Sequence, residues 1–300
     1  MRILITECIT WTDEQKKLIE QDKNELLYVQ DERIPLSEQG IDVTQIEGAI
    51  CNGLFLYNDI EEFTNLKYIQ LTSAGYDRVP LEYIKEKGIR IYNARGVYSI
   101  PMAEFVLGGI LQLYKNSKFF GKNQENHEWK KCREIRELYG RNICILGCGS
   151  VGTECAKRFS AFGCHVFGVD ICAVSREYFD EIVSLEMMDD VLAKSDIVVS
   201  ALPLTDDTRN MINKNKFDRM KNDSIFVNIS RGDIVNTGDL ITALKNNISG
   251  AVLDVFEEEP LGEEHPLWKM DNVIITPHNS FVGEGNRDRL QDVIMKNLKL

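Results

Sequence analysis

Residues 143–152 read ICILGCGSVG, and this stretch decides the fold of the middle of the chain. A short apolar run, 143–146, leads into the pattern G-x-G-x-x-G between Gly147 and Gly152, which opens a predicted helix over 151–162. The first glycine permits a tight turn, the second lets a pyrophosphate approach the backbone, and the third lets the helix pack near the strand. The N–H groups at the N-terminus of a helix favour the binding of a phosphate group. The stretch therefore predicts a dinucleotide site formed by Gly147, Gly149, Ser150, Val151 and Gly152.

An acidic residue follows the next predicted strand, 165–169. Asp170 stands at about the spacing of 20 residues after the last glycine that dinucleotide-binding units show. A carboxylate there accepts hydrogen bonds from ribose hydroxyls and repels a 2′-phosphate. Residues 171–173 contain no arginine that would bind that phosphate. The predicted cofactor is therefore NAD rather than NADP.

Short apolar runs alternate with amphipathic segments along the whole chain. The runs form two series, the first at 3–5, 26–29, 49–51, 68–71 and 89–92, the second at 143–146, 165–169, 197–200, 224–229, 250–253 and 273–276. Segments 13–21, 80–87, 101–120 and 284–300 are predicted to be helical. Strands alternating with helices indicate crossover connections and parallel sheets. The predicted fold class is α/β, with two doubly wound parallel-sheet domains: a six-stranded Rossmann domain and a smaller flavodoxin-like domain.

Length and charge restrict the class of protein. A chain of 300 residues with 43% hydrophobic residues suggests two domains of ordinary size. The formal net charge of −12 disfavours binding to nucleic acid. A membrane span needs about 18 apolar residues in a row, and we expect none here. Glu7 comes too early for a signal peptide, so we expect a soluble, cytoplasmic protein.

Eight cysteines stand at positions 8, 51, 132, 144, 148, 155, 164 and 172, and no two are spaced as C-x-x-C. Without paired spacing or a secretory signal, neither a metal site nor a disulfide framework is indicated. We expect reduced thiols that serve as small core residues. Cys148 is the exception, because its place inside the glycine pattern predicts access to oxidants and leaves a redox-regulation hypothesis open.

Ionisable residues follow three predicted strands of the second series. Arg231, Asp254 and His278 come after the runs that begin at 224, 250 and 273. Ligands of open parallel sheets bind beyond the carboxyl ends of the strands, so these residues are expected at the edge that holds the dinucleotide. Arginine presents a planar fork to a carboxylate, and histidine exchanges protons near neutral pH. Together they predict an anion clamp beside a proton donor, although each alone also suits a structural role.

These motifs together resemble the D-isomer-specific 2-hydroxyacid dehydrogenase family. The resemblance is carried by NISRG (228–232), LDVF (253–256), EPL (259–261) and TPH (276–278), and it extends through SAGYD (73–77), AE (103–104), LYGR (138–141) and LPLT (202–205). It implies an NAD-dependent enzyme that transfers a hydride between NADH and a small 2-oxo acid or D-2-hydroxy acid. It further implies a substrate-binding domain, 1–97 plus 281–300, around an NAD-binding domain, 98–280. A homodimer built around the helix that begins near Pro101 is also implied.

The resemblance also implies roles for single residues. Arg231 binds the substrate carboxylate and polarises the 2-oxo group, His278 exchanges a proton with the 2-oxygen, and Glu259 pairs with His278. The residues implied to bind substrate further upstream are Ser73, Ala74 and Gly75. Those implied to contact the cofactor beyond the glycine pattern are Pro203, Ile229, Ser230 and Asp254, the last through the nicotinamide carboxamide. Because acidic residues crowd around Glu259, a solvated loop is the alternative for that position.

Several alternatives remain open within the wider family that the chain resembles. Formate dehydrogenases have glutamine where this chain has Glu259, which disfavours formate. Phosphoglycerate dehydrogenases carry basic residues after the third strand, whereas residues 53–59 contain neither lysine nor arginine. A phosphoglycerate dehydrogenase would thus need a non-standard phosphate site. The rival of another class is an NAD-sensing, corepressor-like binding protein, which the low positive charge disfavours.

Overall fold

The structure, a computed structural model, describes residues 1–6, 11–21 and 24–298. Glu7, Cys8 and the last two residues of the predicted helical segment 284–300 lie outside the described residues. The chain forms two compact units, the first comprising Met1–Tyr98 with Gly283–Leu300 and the second Ser99–Val282. Which unit binds substrate and which binds NAD stays a prediction, as do the functional limits at 97/98 and 280/281.

The secondary structure of the described residues alternates between strands and helices. The strands are β1 (Arg2–Thr6), β2 (Glu25–Val29), β3 (Gly48–Cys51), β4 (Tyr68–Leu71), β5 (Arg90–Tyr92), β6 (Asn142–Leu146), β7 (His165–Val169), β8 (Glu181–Val183), β9 (Ile197–Ser200), β10 (Ile225–Asn228), β11 (Gly250–Leu253) and β12 (Val273–Ile275). The α-helices are α1 (Asp13–Gln21), α2 (Leu81–Glu86), α3 (Ser99–Tyr114), α4 (Ser117–Glu125), α5 (Ser150–Ala161), α6 (Met188–Lys194), α7 (Lys214–Arg219), α8 (Thr237–Asn246) and α9 (Asn286–Leu298). Short 3-10 helices lie at Val43–Gln45, Leu54–Leu56, Ile60–Glu62, Leu185–Met187, Gly232–Ile234 and Pro266–Lys269.

The first unit contains a parallel sheet with strand order β2-β1-β3-β4-β5. This is the flavodoxin-like order, and it confirms the predicted class of the smaller sheet. Successive residues of β1 enter different apolar clusters, since Ile3 packs in one and Leu4 in another. A central parallel strand buried on both faces reads as a continuous apolar run, which is why these strands are recognisable in the sequence.

The second unit contains a parallel sheet with strand order β12-β11-β10-β9-β6-β7-β8. The chain runs outward from β6 through β7 to β8 and then from β9 through β12 on the other side, which is the Rossmann arrangement. The prediction of six strands for this sheet is wrong, because β8 forms a seventh at the edge beyond β7. A three-residue edge strand that begins with Glu181 lacks the apolar run by which the other strands are recognised.

The predicted continuous helix over 101–120 is also incorrect. The structure has α3 and α4 there, separated at Asn116, whose φ of 52° lies in the left-handed region. A left-handed residue ends the helical hydrogen-bond pattern, and asparagine tolerates that conformation better than most residues. Further back in α3, an added Cβ at Gly109 would lie 2.6 Å from Val252 Cγ1, so the glycine lets α3 approach β11. Within the described ranges, every helix falls short of the length and apolarity that crossing a bilayer requires.

Candidate active site

The glycine pattern forms the tight turn between β6 and α5. Gly147 has a φ of 92°, and a Cβ there would lie 2.7 Å from Ala201 O. A Cβ on Gly152 would lie 2.1 Å from Gly147 O, so both positions require glycine for steric reasons. At Gly149 a Cβ would have no other atom within 4 Å, which leaves open space beside the backbone. This geometry fits the close approach of a pyrophosphate.

The start of α5 supplies the donors that such a phosphate needs. Gly149 is the N-cap residue, and the backbone N–H of Thr153 donates to Gly149 O at 2.9 Å. Ser150 and Val151 are the first helical residues, and the backbone N–H groups of a first helical turn point out of the helix end. The twelve-residue helix places the positive end of its dipole at this point. This geometry is compatible with the predicted pyrophosphate site, and the binding of a pyrophosphate there stays a proposal.

Asp170 connects this turn with the loop that follows β7. Its Oδ2 accepts from the backbone N–H of Cys148 at 2.8 Å, and its Oδ1 accepts from that of Cys172 at 2.9 Å. A carboxylate has about four lone-pair positions, so both oxygens keep acceptor capacity for ribose hydroxyls. Asp170 thus stands where a dinucleotide could be recognised while also holding the glycine turn in shape.

Cys148 does not have the exposure that the sequence predicted. Cys148 is 0% exposed. Its Sγ lies 2.4 Å from the position that a Cβ on Gly168 would occupy, so the thiol packs against β7. Burial, with a smaller contribution from the Asp170 carboxylate, raises the pKa of the Cys148 thiol to about 12. The expected access to oxidants is therefore wrong, because the side chain points into the sheet. Cys172 is the exposed thiol in this region.

The turn that carries Arg231 is organised by a buried asparagine at the end of β10. Asn228 Oδ1 accepts from the backbone N–H of Ser230 at 3.1 Å and from its hydroxyl at 2.6 Å. Asn228 Nδ2 donates to Arg231 O at 3.1 Å. Asn228 is not among the site residues predicted from the sequence, although an asparagine followed two residues later by serine is a signal for such a turn.

The neighbouring residues of this turn are also buried. The Ser230 hydroxyl lies 2.9 Å from the hydroxyl of Ser200, and Ile229 packs in an apolar cluster of the same unit. Arg231 Nη1 donates to Ser230 O at 2.8 Å. The side chains of Ile229 and Ser230 therefore shape the turn, and their predicted contact with a cofactor stays a proposal.

Gly232 brings the Arg231 turn against the segment that follows β11. A Cβ at Gly232 would lie 1.9 Å from the backbone carbon of Phe256, so no other residue fits there without movement of the backbone. The contact joins the carboxyl end of β10 to the loop that contains Glu259. It explains why glycine directly follows the predicted anion-binding arginine.

His278 and Glu259 form a direct pair. His278 Nδ1 lies 2.8 Å from Glu259 Oε2, with side chains that are 36% and 37% exposed. The other carboxylate oxygen of Glu259 accepts from the backbone N–H of Phe256 at 3.0 Å. Glu264, from the same acidic run, is 94% exposed in contrast. Glu259 is thus held in place rather than free in a solvated loop.

Asp254 lies fully buried beneath the histidine loop. Its Oδ1 accepts from the Thr276 hydroxyl at 2.6 Å and from the Asn279 N–H at 2.7 Å, and its Oδ2 accepts from the Ser280 N–H at 2.9 Å. The His278 N–H donates to Asp254 O at 2.8 Å, and His278 has a φ of 51°. Asp254 therefore shapes the loop that carries the histidine. Its predicted contact with the nicotinamide carboxamide stays a proposal.

The sheet order brings most of these groups to one edge of the second unit. Because β10, β11 and β12 are neighbouring parallel strands, Arg231, Asp254 and His278 follow adjacent strand ends. Pro203 follows β9, the strand between β10 and the glycine turn, and its carbonyl accepts from the Thr208 hydroxyl at 2.7 Å. The described residues contain no group of His, Cys, Asp and Glu suited to a metal ion.

The predicted substrate loop belongs to the first unit, where it follows β4. The Ser73 hydroxyl donates to Gly75 O at 3.1 Å, and Asn93 Nδ2 donates to Ala74 O at 2.6 Å. The loop is therefore held by its own side chain and by the segment after β5. Its role in substrate binding stays a prediction.

A Rossmann sheet with a glycine turn, an acid after its second strand and an Arg and a His–Glu pair along the same edge defines a dinucleotide-dependent oxidoreductase. The family model described as "D-isomer specific 2-hydroxyacid dehydrogenase, NAD binding domain" matches residues 107–280. The chain belongs to this family. It is accordingly an NAD-dependent 2-hydroxyacid oxidoreductase.

Individual relatives agree with that membership. A glyoxylate reductase from Thermofilum pendens is 35% identical over 244 residues, which cover 78% of this chain and 71% of the relative. The structure of a D-isomer specific 2-hydroxyacid dehydrogenase family protein from Aeromonas salmonicida superimposes with a TM-score of 0.81, at 28% identity over 99% of this chain and 94% of that one. A D-lactate dehydrogenase from Aquifex aeolicus, complexed with NAD and lactic acid, gives a TM-score of 0.79 at 26% identity, with 99% and 94% coverage.

Proposed function

We propose that this chain reduces a small 2-oxo acid to its D-2-hydroxy acid, and catalyses the reverse reaction, with Arg231, Glu259 and His278 acting on the substrate. The observation that carries the proposal is the 2.8 Å contact between His278 Nδ1 and Glu259 Oε2 at the sheet edge that also carries the glycine turn. A histidine oriented by a carboxylate beside a dinucleotide site is suited to proton transfer that accompanies hydride transfer.

NADH, when bound, supplies the hydride that adds to C2 of the oxo acid. The Arg231 guanidinium binds the substrate carboxylate and draws electron density from the neighbouring 2-oxo group. His278 in its protonated form donates a proton to the 2-oxygen and becomes neutral, so the product leaves as a hydroxy acid. The Glu259 carboxylate contacts Nδ1 and orients the imidazole for this transfer. In the oxidative direction His278 accepts the hydroxyl proton.

Buried polar groups hold in place the backbone turns that carry these side chains before substrate binds. Asn228 shapes the Arg231 turn, and Asp254 shapes the His278 loop through its accepted hydrogen bonds. Preorganisation of this kind lowers the entropic part of the barrier, because the reacting groups need not be ordered during the reaction. The proposed cofactor contacts are Pro203, Ile229, Ser230 and Asp254, together with the glycine turn and Asp170.

The character of the first unit supports a substrate without a phosphate group. Residues 53–59 contain no lysine or arginine, and Leu56 and Tyr57 are both exposed there. We propose that Ser73, Ala74 and Gly75 bind the substrate carboxylate and that an uncharged side chain is preferred. Glyoxylate, pyruvate, hydroxypyruvate and a branched 2-oxo acid are the test compounds for this class.

The experiment measures NADH oxidation with each of those acids and with phosphohydroxypyruvate, with the His278→Ala variant as control. We expect turnover with at least one of the non-phosphorylated acids and a large loss in the variant. Activity with phosphohydroxypyruvate alone would indicate a phosphoglycerate dehydrogenase with an unusual phosphate site. NAD binding without turnover of any acid would favour the NAD-sensing binding protein.

We further propose that the chain assembles as a homodimer built around α3, the helix that begins near Pro101, and the segments that follow it. Trp129 is 98% exposed within the irregular segment 127–137, and Phe119 and Ile135 line a cavity of about 730 Å³ in the same unit. A tryptophan contributes about 150–250 Å² of apolar area when buried, which favours a covered state. Light scattering on the unmodified chain should give twice the monomer mass, and Trp129→Ser should weaken the association.

A cytoplasmic location is the last part of the proposal. Among the described residues, Cys132, Cys144, Cys148, Cys155, Cys164 and Cys172 are not joined in disulfides. Reduced thiols persist in the cytoplasm, whereas oxidising compartments favour disulfides. Fractionation of cells that make the chain at native levels tests this location, and recovery outside the cytoplasm would contradict it.

A further inference from the structure

Arg176 lies against the glycine turn, although it is six positions beyond the acid that was expected to select the cofactor. Its Nη1 donates to Cys148 O. The backbone N–H of the same cysteine donates to Asp170 Oδ2 at 2.8 Å. A single residue of the turn therefore contacts a carboxylate through its N–H and a guanidinium through its carbonyl.

The charge of Arg176 remains available for an anion. In the part of the chain that the structure describes, no carboxylate forms an ion pair with Arg176. A guanidinium has five N–H donors, so the contact with Cys148 O leaves most of them for another acceptor. The Asp170 carboxylate and the Arg176 guanidinium thus contact the same residue of the turn with opposite charges.

The surroundings of this corner are open. Ile171 and Val174 are exposed, Cys172 is exposed, and Arg176 itself is half-buried. A ligand group that reaches Asp170 could therefore also reach Arg176.

We propose that Arg176 forms a subsite for the 2′-phosphate of NADP(H) beside Asp170. The ribose corner, formed by Asp170 and Arg176, then accepts the phosphorylated dinucleotide as a second cofactor, while Asp170 sets the preference for NADH. The inference rests on the proposed dinucleotide site. The carboxylate accepts hydrogen bonds from an unmodified ribose and repels a phosphate, whereas the guanidinium binds a phosphate through paired donors. Because the two effects oppose each other, the chain discriminates less strongly than Asp170 alone would dictate.

The experiment separates the ribose corner from the rest of the cofactor. Calorimetric titrations use 2′,5′-ADP and 5′-AMP as probes, and fluorescence titrations use NADPH and NADH. The variants are Arg176→Ala, Asp170→Ser and the double variant. Arg219→Ala is the matched control, because it removes one positive charge at a side chain that is 65% exposed in the same unit.

We expect Arg176→Ala to weaken 2′,5′-ADP and NADPH about tenfold more than 5′-AMP and NADH, as loss of a charge-assisted hydrogen bond does. Asp170→Ser should strengthen NADPH binding, and the double variant should lose that gain. Arg219→Ala should change neither ratio. Arg176→Gln can still donate to Cys148 O but carries no charge, so it should show the same selective weakening. It replaces Arg176→Ala as the test if the alanine variant folds poorly.

Equal weakening of the phosphorylated and unphosphorylated ligands would overturn the inference, because Arg176 would then only support the turn. A gain of NADPH binding in Asp170→Ser that persists without Arg176 would also overturn it. Failure of the unmodified chain to bind NADH would instead refute the proposed function. In that case the dependence of 2′,5′-ADP binding on Arg176 still decides whether the phosphate subsite exists.

Discussion

His278 Nδ1 and Glu259 Oε2 are 2.8 Å apart, although the two residues follow different strands, β12 and β11. The carboxylate occupies one ring nitrogen, which leaves Nε2 as the atom that can exchange a proton with a substrate. The histidine backbone is itself anchored by its N–H to Asp254 O. The orientation of the imidazole is thus controlled from two sides.

Replacement of His278 by alanine should lower the turnover number by about 10²–10⁴, the usual contribution of general acid–base catalysis. The reason is that the variant has no imidazole at this position to exchange a proton with the 2-oxygen of the substrate. Steady-state rates of 2-oxo acid reduction measure the effect, with His165→Ala as control. His165 begins β7 at the opposite, amino edge of the sheet, so its loss should be nearly neutral. Near-normal activity of His278→Ala would remove this residue from the mechanism.

Glu259→Gln should lower kcat for 2-oxo acid reduction by about tenfold, the usual effect of losing a hydrogen bond to a charged group. The amide can place its NH2 group rather than its oxygen beside Nδ1, so the imidazole is no longer held in one orientation. The measurement is kcat for reduction under fixed conditions, with Glu264→Gln as control at an exposed glutamate of the same acidic run. Equal turnover of the two variants would contradict the pairing.

Arg231→Lys should raise KM for the 2-oxo acid and lower kcat/KM by about 10- to 100-fold, because lysine retains the charge but loses the planar pair of donors. KM for NADH should change far less, since the proposed dinucleotide contacts are the glycine turn and Asp170. Separate titrations of acid and cofactor distinguish the two effects, and Arg219→Lys is the control. An unchanged KM for the acid would place the carboxylate elsewhere.

Asp254→Asn should destabilise the second unit as well as reduce activity. The variant sets an amide donor against the hydroxyl and N–H groups that now donate to the carboxylate, which leaves buried donors unpaired. The expected loss is about 2–4 kcal/mol in the free energy of unfolding. Urea titration measures it, and the exposed Asp271→Asn, whose carboxylate pairs with Lys122 at the surface, is the control. Full stability with a weaker affinity for NADH alone would favour the carboxamide role over the structural one.

Thiol labelling should separate Cys148 from Cys172. Since burial raises the pKa of the Cys148 thiol to about 12, almost none of it is thiolate at pH 8, and the reagent cannot reach it. Cys172 is exposed and should react with iodoacetamide in the folded protein. Mass spectrometry of peptides from native and urea-unfolded samples measures both. Comparable labelling of the two thiols in the native sample would show that the glycine turn opens.

Most of the strands were predictable, and the exceptions have local causes. Buried parallel strands such as β6 and β10 are continuous apolar runs, so the sequence marks them directly. The edge strand β8 is short and begins with an exposed glutamate, and its pairing with β7 is a long-range property. The division between α3 and α4 depends on the left-handed backbone of Asn116, which helical periodicity does not reveal.

The residues of the candidate site also divide into those that the sequence predicts and those that only the fold reveals. Arg231 and His278 are predictable, because charged residues directly after apolar strands must lie at the carboxyl edge of a parallel sheet. Asn228 and Arg176 act through contacts with backbone atoms of the turns, and side chains of these types are common at loop positions without such roles. Only the fold shows that Arg176 returns to the glycine turn, or that Glu259 rather than a neighbouring glutamate meets His278.

The sequence by itself determined the class of the fold, the family, the dinucleotide turn and the ionisable residues at three strand ends. These properties depend on local patterns: apolar runs, glycine spacing and the residue that follows each strand. The tertiary structure decided the orientation of Cys148 into the sheet, the burial of Asp254 and the partners of His278 and Arg176. Those properties depend on which strands become neighbours and on how closely their turns pack, which is a matter of long-range contact rather than of local pattern.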